Sequence, residues 1–315
     1  MIKKIIEKIK YELKFNNPSY YTRISDKFNK KTYQRILQKK IGKLPPVILQ
    51  SDNAQLTLAI LANKKNFYES IAALYSFCFW NRNVYVHYHE DGTLTKNEFE
   101  ILKKIFPGIT IFIRSEQNHK VGDCLLLKGL AHCARLRSHF LFAVRSFDMI
   151  IEKKTPYLLQ IDSDVLFFSK PKEILDTVKK GDLNGCYNRD VLSMYSFDDA
   201  TIAKYLPVPV IPNFNAGIFL HNFDESFFDF VEAIMAKEPQ ADNSWHLEQT
   251  LFAMYATLKE KFLELPKTYA LGRGARVIGN EVISKHYVHN TGYDFHKDFI
   301  YKLYQMFNSP TKTNS

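Results

Sequence analysis

The run Tyr157-Leu-Leu-Gln-Ile-Asp162-Ser-Asp164-Val-Leu-Phe-Phe168 constrains this chain more than any other stretch. A strand-like apolar segment delivers two carboxylates with one residue between them, and the chain then turns apolar again. In an extended segment residues i and i+2 face the same way. Asp162 and Asp164 are therefore expected to form a paired negative site at the carboxyl end of a buried strand, where open α/β sheets place their ligands. Two acidic oxygens facing one way suit a hard divalent cation such as Mn²⁺ or Mg²⁺, which can bridge to a diphosphate.

A chain of 315 residues has room for one large α/β domain or two small ones, and 46% hydrophobic content supports a sizeable core. Charge is the uneven quantity. Residues 1–45 carry eleven Lys and two Arg against Glu7, Glu12 and Asp26, which accounts for the whole net charge of +10. The rest is balanced, with thirty side chains of each sign. That layout disfavours a broad nucleic-acid-binding face and fits an N-terminal arm that meets an anionic surface. Cys78, Cys124, Cys133 and Cys186 are scattered, without a Cys-x-x-Cys pair, as expected of free thiols in a reducing compartment. No segment has the roughly 18 uninterrupted apolar residues of a membrane span, and the N-terminus lacks a secretory apolar core. The expected location is cytoplasmic, with peripheral attachment to the membrane face as an option for the arm.

Within that arm, Ile2, Ile5, Ile6, Ile9 and Leu13 recur at helical spacing among lysines, and Asn16-Asn-Pro18 ends the helix. A second helix is expected from Ser25 to Gly42. Residues 1–50 fit either a helix lying in a bilayer interface or an extension packed on a domain over 51–315. From Leu56 the pattern alternates: strand Leu56–Ala62, helix Asn66–Phe79, strand Val84–His89, helix Lys96–Phe106, strand Ile109–Arg114. Alternation of this kind signals βα units and a mainly parallel sheet. A helical block over Asp123–Ile151 precedes the acidic strand. A helix over Pro171–Lys180, a strand over Asn184–Tyr187, an extended stretch Val208–Leu220 and helices over Glu225–Lys237 and Ser244–Lys261 follow it. Short strands near Leu263 and Ile283 and a helix over Asp294–Phe307 close the pattern.

Three more places carry chemistry. Arg145 lies on the otherwise apolar stretch His139-Phe-Leu-Phe-Ala-Val-Arg-Ser-Phe147, and a cation there requires a partner because an unpaired buried charge is very costly. Phe214-Asn215-Ala216-Gly217 places small residues before an apolar run, as a bulge or a close backbone approach does. Glu248 and Gln249 open a helix, where an acidic side chain also complements the dipole.

Taken together, Asp-x-Asp on its apolar strand and Asn-Ala-Gly about fifty residues later resemble the signatures of GT-A glycosyltransferases of the family 8 type, over roughly residues 56–300. The resemblance implies an α/β, Rossmann-like fold with a central, mainly parallel mixed sheet flanked by helices. It also implies transfer of a sugar from a nucleotide-diphosphate donor, of the UDP type, to a saccharide or other hydroxyl acceptor in surface glycan biosynthesis. By the same resemblance, Asn63 and Tyr68 receive the nucleotide base, and Asp162, Ser163 and Asp164 meet the metal and diphosphate. Arg145 orients the carboxylates and offsets phosphate charge. Asn215, Ala216, Gly217, Glu248 and Gln249 hold the donor sugar and acceptor. The segment Lys285-His286-Tyr287-Val288-His289 stands where the family supplies a third metal ligand, His286 or alternatively His289. His289 and Tyr293 occupy the family's glycine and basic positions, which leaves Lys297 as a substitute cation for the diphosphate. If the reaction inverts configuration, Glu248 is the candidate base. Retention, towards which the resemblance leans, needs none. Two rivals use the same residues: a haloacid dehalogenase-type phosphatase, with Asp198-Asp199 as a further acidic pair, and a non-catalytic protein that binds anionic surfaces or nucleotide sugars.

Overall fold

The computed structural model describes residues 20–272, 282–288 and 292–308. Ten strands lie among the described residues: β1 Leu56–Ala62, β2 Tyr85–Glu90, β3 Thr110–Phe112, β4 Tyr157–Ile161, β5 Val165–Phe167, β6 Gly185–Arg189, β7 Phe214–His221, β8 Phe262–Glu264, β9 Tyr269–Leu271 and β10 Ser284–His286. Seven of them form one sheet in the order β3-β2-β1-β4-β7-β6-β8. Its pairs are parallel except where β7 meets β4 and β6.

Every residue of β4 is buried, as a central strand covered on both faces requires. Its side chains alternate with the pleat. Leu159 and Ile161 join Leu58 and Ile60 of β1 and Ile218 and Leu220 of β7 on one face. Leu158 joins Ala59 and Phe219 on the other. Helices Phe67–Trp80, Lys96–Ile105 and Lys172–Lys180 cover the first face. Helices Arg114–Leu127, Ala131–His139, Ser226–Lys237 and Leu247–Lys259 cover the second.

Several local expectations shift. The acidic run is not one strand: it breaks at Asp162–Asp164 into β4 and β5, which belong to different sheets. A turn with the Val165 amide 3.2 Å from the Asp162 carbonyl makes the break. The two carboxylates are thus presented by a turn, not by strand alternation. The helical block begins at Arg114, takes over the end of the third expected strand, and divides into Arg114–Leu127, Ala131–His139, Ala143–Ser146 and Asp148–Glu152. The extended stretch before Leu220 becomes strand only at Phe214, and β9 was not anticipated.

The second helix begins at Tyr20 rather than Ser25 and runs to Ile41. Leu37, Ile41, Leu44 and Val47 are buried in the same core as the sheet, so this part of the arm packs on the domain. Gln38 donates to the Tyr68 hydroxyl at 2.9 Å, and the Lys40 ammonium sits 3.7 Å from the Tyr304 ring centre. The Ile-rich helix expected over residues 2–14 lies outside the described residues. Among the described residues no helix is long and apolar enough to cross a membrane. Cys78, Cys133 and Cys186 are buried free thiols, and Cys124 is partly exposed.

Strand β2 adds an acid-sensitive element. His87 and His89 point to one face, where His87 meets Phe112 edge-on at 5.0 Å and His89 stacks on it at 4.4 Å, and neither has a hydrogen-bond partner on a ring nitrogen. Burial, aided by Lys154, pushes the His87 imidazole down to about 4. Burial, with His87 and Arg137 nearby, pushes His89 well below its ordinary value. Both rings are therefore neutral when folded, while the unfolded chain binds protons below its ordinary His pKa. Stability is full above about pH 6.5 and falls as pH drops from there towards 4, by about 1.4 kcal/mol per unit for each ring. Urea unfolding at pH 7 and pH 5 should show this loss, and His89→Phe should flatten it. An unchanged pH dependence in that variant would refute the assignment.

Candidate active site

The site lies at the carboxyl ends of the parallel strands, in a cleft of about 640 Å³. Along the sheet the cleft wall runs from Asp91 after β2, through Asn63 and Asn66 after β1, to Asp162–Asp164 after β4 and Asn215–Gly217 on β7. Helix Leu247–Lys259 adds Glu248 and Gln249, and helix Ala143–Ser146 adds Arg145.

At its centre, an imidazole meets the acidic pair. His286 Nε2 is 3.3 Å from Asp162 and 3.2 Å from Asp164, and one ligand atom from each of the three lies within 4.8 Å of the others. Backbone pairing closes the long sequence gap. Strand β10 runs antiparallel to β5, with His286 opposite Val165, and the Tyr287 amide donates to the Asp164 carbonyl at 2.9 Å. Gly217 makes room for the ring: a Cβ there would fall 2.1 Å from His286 Cε1 and 2.3 Å from Nδ1. Asn215 Oδ1 lies 3.1 Å from His286 Nδ1 and accepts from the Gly217 amide at 2.9 Å, while its amide group donates to Asp190 at 3.0 Å. The start of strand β7 therefore fixes both the position and the tilt of the imidazole.

Charge balances over the same few atoms. Arg145 is buried and donates from Nη1 to Asp162 at 2.7 Å, from Nε to Gln160 at 3.2 Å and from Nη2 to the Ala216 carbonyl. Its Nε also lies 3.1 Å from Glu248 Oε1. Burial works against a charged Asp162, but Arg145 and His286 hold its carboxyl well below the usual carboxylate range. Burial alone would strip the proton from His286. Asp164 and Asp162 reverse that and push the imidazolium up to about 10. Glu248 goes the other way: burial, only partly opposed by Arg145, pushes its carboxyl up to about 7. Roughly a third of the Asp162 and Asp164 side-chain surface still faces the cleft, 35% and 36%. Two carboxylates and an imidazole so placed could hold a divalent cation of the Mn²⁺ or Mg²⁺ kind.

No protein-family model and no curated protein sequence matches the chain. Among solved structures, mouse xyloside xylosyltransferase 1 aligns over 75% of this chain and 98% of its own at a TM-score of 0.50 and 14% identity. The chain has the GT-A fold. The glycosyltransferase GlyE of Streptococcus pneumoniae (TM-score 0.49, 12% identity, 81% of this chain and 62% of that one) is similar in the same way. So is the galactosyltransferase LgtC, with a TM-score of 0.48 and 12% identity over 81% of this chain and 98% of its own.

Within this GT-A frame most of the expected residues converge. Asn63, Arg145, Asp162, Ser163, Asp164, Asn215, Ala216, Gly217, Glu248 and Gln249 all line the cleft, with His286 behind Gly217. Asn63 has a structural task as well, since its Oδ1 caps the turn Lys64–Asn66 by accepting from the Lys65 and Asn66 amides at 2.9 and 3.2 Å. Tyr68 does not line the cleft: its hydroxyl faces helix Tyr20–Ile41, and its ring packs edge-on against Phe67 at 5.0 Å. Lys297, on helix Gly292–Asp298, is not among the lining residues either. His289 lies outside the described residues. Sequence reasoning missed Asn66, whose amide donates to Ser163 Oγ at 2.7 Å, and Gln160, which supports Arg145. A lone glutamine in an apolar strand was the available signal for the second. Asp198 proves to be a helix cap, accepting from the Thr201 amide at 2.8 Å.

The Gly217–His286 contact can be tested without any ligand. In Gly217→Ala the new methyl must displace the imidazole from its two carboxylates. An NMR titration of the His286 ring should find its pKa falling from about 10 towards the ordinary value near 6.5. An unmoved titration would show that the ring has another way to fit.

Proposed function

We propose that this chain is a metal-dependent glycosyltransferase that moves a sugar from a nucleoside-diphosphate donor, of the UDP type, to a saccharide or other hydroxyl acceptor. The observation that carries the reading is the meeting of Asp162, Asp164 and His286 at the end of β4, inside the cleft of a GT-A fold. The hard carboxylate oxygens and single imidazole suit Mn²⁺ or Mg²⁺. Held there, such an ion supplies Lewis-acid stabilisation of the leaving nucleoside diphosphate.

The order of groups along the sheet supports an assignment of subsites. The nucleoside lies towards Asn63, Asn66 and Asp91, the diphosphate against Asp162–Asp164, and the transferred sugar against Asn215–Gly217, Glu248 and Gln249. Each nitrogen of the Arg145 guanidinium already has a protein acceptor, which supports a positioning role over a direct grip on phosphate. Glu248, with its carboxyl near 7, can exchange a proton with a sugar hydroxyl at neutral pH. Retention of configuration is the outcome the family resemblance favours. The phosphatase reading fares worse, because the Asp162 carboxylate that it needs as a nucleophile is bound by Arg145 and His286.

Two measurements bear on this directly. Asp164→Asn removes one charged ligand while leaving the fold intact, so Mn²⁺-dependent UDP binding and sugar transfer should be lost together. The loss should be several kcal/mol in transition-state stabilisation, each ~1.4 kcal/mol being tenfold in rate. Near wild-type turnover in this variant, with unchanged thermal unfolding, would sink the assignment.

The second concerns protons. Without an ion the His286 ring is protonated at neutral pH, and an ion must displace that proton. Apparent Mn²⁺ affinity should therefore rise with pH, by up to about tenfold per unit below pH 10, with one proton released per ion bound. Calorimetry in buffers of different ionisation enthalpy reads that proton. A pH-independent affinity would remove His286 from the ligand set.

A further inference from the structure

We infer that Trp245, backed by Phe142, is the platform on which a pyranose ring of the acceptor lies, so that the acceptor is a saccharide rather than a peptide or lipid hydroxyl. This rests on the glycosyltransferase reading of the cleft and adds the identity of the second substrate.

Trp245 is 71% exposed, yet it lines the same cleft as the acidic pair. An exposed indole on an open surface would mean little. At this position the ring is held in place by its neighbours. The Asp242 carboxylate is bound by Arg135 at 2.6 Å and lies 3.2 Å from His139. Ser244 Oγ is hydrogen-bonded to Ser196 Oγ at 2.7 Å, and Leu247 is fully buried. Phe142 meets the indole edge-on, with ring centres 4.7 Å apart at 74°. The chain on both sides of Trp245 is thus anchored while the indole stays open to the cleft.

Its location fits an acceptor. Trp245 stands one turn before Glu248 and Gln249, at the β7 side of the cleft. Asn63, Asn66 and Asp91, the groups suited to a nucleoside, lie at the β1–β2 side, and Asp162–Asp164 separate the two ends. A ring in this place can meet a molecule that approaches the transferred sugar from beyond the diphosphate. The chemistry selects a pyranose, because a sugar ring presents a flat patch of C–H groups to an aromatic face and keeps its hydroxyls for polar partners. Asp242 and His246 line the cleft beside the indole and make its surroundings polar.

Trp80 and Trp245 are the two tryptophans of the chain, so a Trp80→Phe variant makes Trp245 the sole indole reporter. Its emission would be titrated with methyl β-glucopyranoside, methyl β-galactopyranoside and methyl α-mannopyranoside, with and without UDP and Mn²⁺. Sorbitol, an open-chain polyol, is the control. A saturable blue shift with at least one pyranoside and none with sorbitol is expected. Should Trp80→Phe not fold, the difference in emission between wild type and Trp245→Phe reads the same event. For transfer onto the pyranoside selected, Trp245→Ala should raise the acceptor KM by roughly tenfold or more, with UDP affinity unchanged and most of the loss restored in Trp245→Phe. No saturable response to any pyranoside would overturn the inference. So would weakened UDP binding in Trp245→Ala, which would make the indole a nucleobase platform. Failure of the wild type to bind UDP would instead count against the donor reading, since the sugar titration without UDP reads Trp245 by itself.

Discussion

The guanidinium of Arg145 is the interaction on which the site depends. A cation at this depth is tolerable only if acceptors and counter-charge surround it: Asp162, Gln160 and the Ala216 carbonyl accept from it, and Glu248 adds a carboxyl 3.1 Å away. Those four come from β4, the turn after it, β7 and helix Leu247–Lys259, so one side chain ties together four parts of the cleft wall. Removing it would take away the one charge that opposes burial at Glu248, whose carboxyl would then be pushed further up and held neutral. Asp162 is therefore shared between structure and function: one oxygen faces Arg145 and the other faces His286.

His286 is positioned by steric means as much as by charge. Its ring occupies the space a side chain at residue 217 would need, and its strand is held in register against β5 by backbone bonds. The small second sheet, β5-β10-β9, exists beside the large one to bring this residue back to the acidic turn. The turn at Asp162–Asp164 makes that possible. A strand continuing straight from β4 would have stayed in the large sheet and left β10 paired with β9 alone, without the β5 edge that sets His286 beside the acidic turn.

Much of this was legible in the residues, and the exceptions have physical causes. Strand and helix periods of 2 and 3.6 gave the alternation from Leu56 onwards, and the Asp pair, Asn-Ala-Gly and Glu248-Gln249 all reached the cleft. The break between Ile161 and Val165 was hidden because apolar residues flank it on both sides, and which sheet each half joins is decided by a strand near residue 285. Tyr68 was misleading for a different reason. Consecutive helix residues point about 100° apart, and once Phe67 enters the core, Tyr68 is turned towards helix Tyr20–Ile41. The opening of helix Arg114–Leu127, Arg-Ser-Glu-Gln-Asn-His-Lys, is polar enough to mask its helical period. Trp245 could not be singled out, since an indole on display and one in a core are the same letter.

The return of β10 to β5 also sets an order of events during synthesis. Asp162 and Asp164 leave the ribosome more than a hundred residues before His286, and the parallel core strands before them can pair as they emerge. Until residue 286 arrives, the acidic turn has no imidazole, and the Asp164 carbonyl lacks the Tyr287 amide. The ribosome-bound chain thus carries two carboxylates with Arg145 on Asp162 but without the imidazole that bridges the pair. The centre is completed only as this segment docks, and with it come Phe295, Phe299 and Leu303 of the same core as the sheet, so closing the cleft and finishing that core are one event.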